Sequence, residues 1–342
     1  MSTLNLTDVT ADSPTADLDA WMAVRTAAHA VDAVNLPALW RESEIGGLGH
    51  PWPGSHATHF LVRRDGEAVA VAEMSLPQDA NTNSGWVSVT VTPRLRRQGI
   101  GREALDLLYT RFKAEGRTRA MTEGVASLPG GVARDESGEA FIAASGYRRV
   151  GDEVRRQLDL STVDLDAETR FFEQAAAKAG EDYELVRFIE PVPEKYLADL
   201  AAMNARLSED TAGYIEDWEP AAYDSAKILG YQEAAAARLH RRPHVAALHK
   251  PSGRLVAWAF LALVSPDGRH AEHCVTVVMT EHRGHRLGML VKTGLHRYAR
   301  QIEPRLRWID TWNAAENTHM IAVNDELGFV PVESYVEYVR EL

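Results

Sequence analysis

Val89-Thr90-Val91-Thr92-Pro93, followed two residues later by Arg96-Arg97-Gln98-Gly99-Ile100-Gly101, is the stretch that decides the fold. Its first part alternates apolar and polar residues, as a strand does, and Pro93 stops that pattern. The glycines let the backbone come close to a ligand. Ile100, Ala104, Leu108 and Phe112 then recur at helical spacing. A helix that starts here offers unpaired N–H groups to an anion, so the junction reads as a strand–turn–helix cradle for a pyrophosphate.

A second junction follows the predicted strand His273 to Met279: Thr280-Glu281-His282-Arg283-Gly284-His285-Arg286-Leu287-Gly288. Leu287, Val291, Leu295, Tyr298 and Ile302 form its helical stripe. Arg283 and Gly288 match the first motif, and Arg286 stands where its first glycine should be. A functional loop would use Arg286 for a charge-assisted bond to phosphate; a decayed loop is the alternative.

Outward from these junctions, the two halves repeat one order of parts. In the first, Leu4–Val9 reads as an edge strand, and Asp17–Ala33 and Leu36–Glu44 as helices. Gly47–Gly54 is a loop. His59–Arg64 and Ala68–Leu76 make a hairpin about Asp65-Gly66. Arg119–Val125 is a strand, a short helix ends near Ser145-Gly146, and a final strand pair closes the half. In the second, Tyr183–Ile189 is a strand, and Glu194–Ser208 and Asp224–Arg241 are helices. His244–His249 and Leu255–Val264 form a hairpin about Pro251-Ser252-Gly253. Trp308–Trp312, a helix over Ala315–Leu327 and a strand from Phe329 complete it. Recurrence of a mixed β/α order implies duplication. The expected layout is 1–160 as one domain, 161–181 as a helical connector containing the Ala-rich Glu168–Gly180, and 182–342 as the second domain.

The 342 residues suit two cores better than one, and 45% hydrophobic with 25% charged residues is a globular composition. A net charge of -12 argues against nucleic acid as a partner and suits a cationic substrate. Cys274 is the one cysteine, so no structural disulfide forms within the chain. No apolar run approaches the roughly 18 residues of a membrane span, and Met1–Asp19 is unlike a secretory signal. A cytoplasmic enzyme, monomeric or homodimeric, with no membrane partner, is the expectation.

The strand, the R-x-x-G-x-G turn and the amphipathic helix together resemble the coenzyme A loop of the GNAT acetyltransferase superfamily, whose pattern is Q/R-x-x-G-x-G/A. The string from Thr311-Trp312-Asn313-Ala314 through Val323-Asn324 to Leu327-Gly328-Phe329 is similar to that of many bacterial members. The resemblance covers nearly all of both halves. It implies an α/β (α+β) fold of two tandem GNAT domains, each a mixed, mostly antiparallel central sheet flanked by helices. It implies acetyl-CoA as co-substrate and no metal. By the same resemblance, Val91, Arg96, Arg97, Gln98, Gly99, Ile100 and Gly101 bind the cofactor in the first half. Val278, Arg283, Gly284, His285, Arg286, Leu287 and Gly288 do so in the second. Asn317, eleven residues before Gly328-Phe329, matches an asparagine common in the family; Asp135 is its first-half equivalent.

Transfer of an acyl group from a thioester to an amine needs placement, a donor for the developing oxyanion and a proton acceptor. Histone-modifying members use a glutamate eleven residues before the loop's Q/R. Glu272 has that spacing from Arg283, whereas the first half has Gly85 there. The alternative for Glu272 is a solvated strand-end carboxylate. Glu73 is the first-half candidate. The superfamily's acid tyrosine corresponds to Asn324 and Ile142, neither of which can protonate a thiolate, leaving water, Tyr335, Tyr338 or Cys274. These readings favour the second half as catalytic, with the first structural or retaining coenzyme A.

Glu209, Asp210, Tyr214, Glu216, Asp217, Trp218, Glu219 and Asp224 lie where family members wall the acceptor site. They suit an amine, though a solvated loop explains them equally. His270, His273, His282 and His285 lack zinc-like spacing. Arg238, His240, Arg241 and Arg242 form a basic patch, either for the 3′-phosphate or simply at the surface. The activity implied is N-acetylation of a small primary amine. The alternatives are a protein or peptide acceptor, or a non-catalytic acyl-CoA sensor.

Overall fold

A computed structural model describes residues 3–33, 35–212 and 217–342. Contacts divide the chain into two units, Met1–Glu153 with Glu333–Leu342, and Val154–Val332.

The first unit contains β1 (Asn5–Val9), α1 (Thr15–Asp32), α2 (Arg41–Leu48), β2 (Ser55–Arg64), β3 (Glu67–Pro77), β4 (Ser84–Val91), α3 (Ile100–Ala114), β5 (Arg119–Ser127) and α4 (Ser137–Ala144). β6 (Arg148–Asp159) carries the chain into the second unit. There follow α5 (Leu165–Ala179), β7 (Tyr183–Ile189), α6 (Leu197–Ala212), α7 (Ser225–Ala237), β8 (Pro243–His249), β9 (Arg254–Leu263), β10 (His270–Val278), α8 (Leu287–Ile302), β11 (Trp308–Ala314) and α9 (Thr318–Glu326). β12 (Val330–Glu341) returns to the first unit.

The first sheet runs β1-β2-β3-β4-β5-β12 and the second β7-β8-β9-β10-β11-β6. Strand for strand the two orders match, except that each sixth strand comes from the other half of the sequence. β4–β5 and β10–β11 are parallel, whereas the other registered pairs are antiparallel. The turn Asp65-Gly66 has φ of 52° and 85°, the paired positive values that match the twist of a two-residue hairpin. In each unit one apolar core lies between the sheet and the helix after the fourth strand. Ile100, Ala104, Leu108 and Phe112 build it in the first unit, and Leu287, Val291 and Leu295 in the second.

Several expected elements differ. Leu36–Trp40 is not helical: Asn35 has φ of 66° and Pro37 lacks an N–H, so the helix begins only at Arg41. One long strand, β6, replaces the expected final strand pair of the first half. The expected helical connector is helical, as α5, and it also packs Ala175 and Ala179 into the second core, while Glu168 on it pairs with Arg300. The strand from Phe329 onward completes the first sheet rather than the second, pairing with β5 from Glu333↔Ser127 to Glu341↔Arg119. Among the described residues no helix is long and apolar enough to cross a membrane.

Candidate active sites

The two junctions fold alike. Gly99 caps α3 with φ 81° and ψ -8°, and Arg286 caps α8 with φ 56° and ψ 22°. One further positive φ lies two residues earlier in each, at Arg97 (64°) and Gly284 (86°). Glycine and arginine have therefore traded places within one backbone conformation. Arg286 accepts the left-handed region that Gly99 enters freely, at a cost of roughly 1–2 kcal/mol. Neither helix has a side-chain cap, so the first N–H groups of α3 and α8 remain open to an anion. The residues present fit a pyrophosphate in both units.

The motif arginines hold the loops. Arg96 Nε donates to the Val91 carbonyl at 3.2 Å, and its two terminal nitrogens grip Asp32 at 2.8 and 2.5 Å. Arg283 repeats this with the Val278 carbonyl at 3.3 Å and Asp210 at 2.8 Å. Ile100 and Leu287 are buried in their cores, so only their backbone can face a ligand. His285 packs on Tyr183 (ring centroids 5.4 Å apart), and the Tyr183 hydroxyl meets His282 Nδ1 at 2.8 Å, bracing the second loop. Arg286 lies 3.4 Å from Glu326. The Asn317 side-chain oxygen caps α9 through the Met320 N–H (3.1 Å), and Asp135 likewise accepts from the Ser137 N–H (2.8 Å). Gln98 is exposed.

Beyond the loops the parallel strands part. β10 and β11 pair only over His270–Glu272 with Trp308–Asp310, and β4 and β5 only over Ser84–Trp86 with Arg119–Met121. The remainder of each strand diverges, leaving backbone N–H and C=O groups for a ligand threaded between them. Glu272 is the last residue of β10 paired with β11, opposite Asp310, and a bulge at Cys274 follows it. Ala271 joins the α8-side core, and the His273 ring lies 5.7 Å from that of His296 on α8. Alternation therefore turns Glu272 to the opposite face. Desolvation, then the charge of Asp310, pushes the Glu272 carboxyl up to about 7. Asp310 is itself held by buried Arg155 at 2.5 Å and by Gln157 at 3.0 Å. Cys274 has exposed surface, and desolvation together with the charge of Glu272 pushes its thiol up to about 12, which disfavours the thiolate.

Tyr335 and Tyr338 belong to the first unit, where the Tyr338 hydroxyl bonds Glu139 at 2.9 Å. The first unit has a cleft of about 280 Å³ lined by Trp21, His59, Glu73, Ser88 and Thr90, with His59 Nδ1 3.4 Å from the Glu73 carboxylate. Sequence spacing gave no sign of His59, because it meets Glu73 only across strands. Asp210, called part of an acceptor wall, pairs with Arg206 and Arg283; Tyr214 and Glu216 lie outside the described residues. The basic patch is engaged within the protein: Arg242 with Glu190, and Arg241 with the Ile302 carbonyl.

The sequence model of the acetyltransferase (GNAT) family matches residues 30–128. Among solved structures, a tandem GNAT protein from the clavulanic acid biosynthesis pathway is 26% identical, with a TM-score of 0.85 over 99% of this chain and 98% of that one. A GCN5-related N-acetyltransferase from Sphaerobacter thermophilus shares the fold at 16% identity, with a TM-score of 0.64 over 99% and 95%. The glucosamine N-acetyltransferase region of a fungal multi-domain GH3 β-N-acetylglucosaminidase does so at 15%, with a TM-score of 0.66 over 99% of this chain and 38% of that one. Comparison with curated protein sequences yields no match. The family's sequence model thus matches part of the first unit, and over its whole length the chain is similar to a tandem GNAT protein. Its class is that of the acyltransferases.

Proposed function

We propose that the chain transfers an acetyl group from acetyl-CoA to the primary amine of a small molecule, and that the second unit performs the reaction. The observation that carries this reading is Glu272: a carboxyl at the mouth of the β10–β11 divergence, on the face away from α8, with its proton affinity raised to about 7. An alkyl ammonium has a pKa of about 10 and must lose a proton to attack. A base poised near 7 is about half ionised at neutral pH and in that form accepts the proton. The open N–H groups of α8 and the Arg286 guanidinium would hold the pyrophosphate. A backbone N–H of the diverging part of β10 would meet the oxyanion. The role of Arg283 is to fix the loop.

A second reading, catalysis in the first unit, is favoured by its cleft with the His59–Glu73 pair beside β4. Product formation with a panel of amines, measured for Glu272→Gln and Glu73→Gln, decides between the two. Loss with the first change supports the second unit. Loss with the second change alone moves the assignment.

A further inference from the structure

Three residues of the second unit form a polar chain with no counterpart in the first. Lys292, on α8, is fully buried. Its ammonium donates to the Asn324 side-chain oxygen and lies 4.8 Å from the centre of the Phe329 ring; among the described residues no carboxylate accompanies it. Asn324, also fully buried, donates from its amide nitrogen to the Asn313 oxygen at 2.5 Å. The first-unit equivalents follow from spacing. Leu105 is six residues after Gly99, as Lys292 is after Arg286. Ile142 is four before Gly146, as Asn324 is before Gly328. Both Leu105 and Ile142 sit in an apolar core. The second unit thus keeps an ammonium and an amide where the same fold is content with hydrocarbon, and burying them carries a desolvation cost.

The chemistry of the chain is directional. An ammonium has only donors, so the Asn324 oxygen must face it and the Asn324 amide nitrogen must face away. That nitrogen fixes the Asn313 oxygen in turn, which leaves the Asn313 NH₂ as an outward donor. Among the described residues it has no acceptor. Asn313 is half-buried and lies three residues past Asp310, on the part of β11 that has left β10. By alternation it shares the α8 face with Ile309, opposite to Asp310 and Glu272. A ligand anchored at the α8 N-terminus that reaches Glu272 must pass between the strands at this point.

We infer that Asn313 donates a hydrogen bond to a carbonyl of the acyl-pantetheine arm, and that Lys292 and Asn324 are positioning residues that fix its orientation. The inference rests on acyl-CoA binding by the second unit. Burial pulls the Lys292 ammonium down to about 7, so it carries donors alone below that pH.

The test uses the full chain carrying Gly99→Asp, which blocks the first loop, and measures acetyl-CoA and coenzyme A binding by calorimetry alongside steady-state kinetics. Asn313→Asp keeps shape and the bond from Asn324 but removes the free donor. It should weaken acetyl-CoA binding roughly three- to tenfold, the worth of one hydrogen bond. A loss confined to acetyl-CoA identifies the thioester carbonyl, and a loss shared with coenzyme A identifies a pantetheine amide. The double variant Lys292→Met with Asn324→Ile restores the first unit's apolar pair, should fold, and should show the same loss. Unchanged affinities in both variants overturn the inference. If the Gly99→Asp chain binds no acetyl-CoA at all, acyl-CoA binding by the second unit is itself wrong, and the inference falls with it.

Discussion

Glu272→Gln should make the protein more stable and less active, with both effects depending on pH. At pH 8 the wild-type carboxyl, pushed up to about 7, is ionised in a poorly solvated site beside Asp310. Glutamine imitates its protonated form. Because the folded-state pKa lies above the unfolded one, the group's contribution to stability is complete only below about pH 4.3 and is lost as pH rises through about 7. A shift from 4.5 to about 7, at about 1.36 kcal/mol per unit, caps the penalty near 3 kcal/mol above pH 8. For a unit of this size that is up to roughly 10 °C in melting temperature. Thermal unfolding of both proteins at pH 5 and pH 8 measures it: the variant's advantage should be small at pH 5, about 1 kcal/mol, and largest at pH 8. In steady-state turnover the same change should lower kcat about 10²–10⁴-fold, with acetyl-CoA affinity nearly intact. The deficit should shrink at high pH, where free amine is present without help. An equal melting-temperature difference at both pH values would refute the desolvated carboxylate. Undiminished kcat would refute the base.

Arg286→Gly should relieve the left-handed strain at the α8 cap, leaving stability unchanged or up to about 1 kcal/mol higher once glycine's entropy is counted. It should also raise the acetyl-CoA KM about tenfold through loss of a charged bond; a flat KM denies Arg286 a role with phosphate. Gly99→Asp, at φ 81° beside the first anion cradle, should lower coenzyme A stoichiometry by one per chain, and intact stoichiometry would show that the first loop binds none. Arg155→Met should strip Asp310 of its buried partner and cost about 3–5 kcal/mol. It should also move the rising limb of the pH–rate profile to higher pH, because the Asp310–Glu272 pair would then keep its last proton longer. An unmoved limb would mean the two carboxyls are uncoupled.

The loops were legible because glycine spacing and amphipathic stripes are local. Two features were not. Arg286 reads as a broken motif, yet its φ of 56° keeps the backbone that Gly99 has at 81°. A residue-type pattern records which side chain tolerates a conformation cheaply, while the fold asks only that the conformation be reached. Lys292 stands one residue off the stripe of α8, where a lysine reads as exposed, and only Asn324 and Phe329, over thirty residues away in sequence, show that it is buried. Glu272 was found by spacing, but its raised proton affinity depends on Asp310, a partner across strands.

Exchange of the sixth strands was invisible for a related reason. β6 and β12 are each 12 residues long, and each follows a helix and a glycine with positive φ, Gly146 or Gly328. Local pattern therefore lets either close either sheet. What separates them is the polar partner each supplies. Arg155 and Gln157 of β6 meet buried Asp310 in the second unit, which would otherwise hold an unpaired charge. Glu333 of β12 meets Arg134 of the first unit, both almost wholly buried. These pairs penalise the unexchanged arrangement, in which two carboxylates and two guanidiniums would lose their partners. The exchange has a chemical consequence. Tyr335 and Tyr338, the only hydroxyl candidates that the sequence offered for protonating a thiolate, go to the unit that lacks Glu272. In the second unit the position of the family's acid holds Asn324, which is bound at both ends and cannot give up a proton at neutral pH. If the second unit is catalytic, neither Asn324 nor Cys274, its thiol pushed up to about 12, favours protonating the leaving thiolate. Its buried polar chain then serves to hold the acyl arm in place.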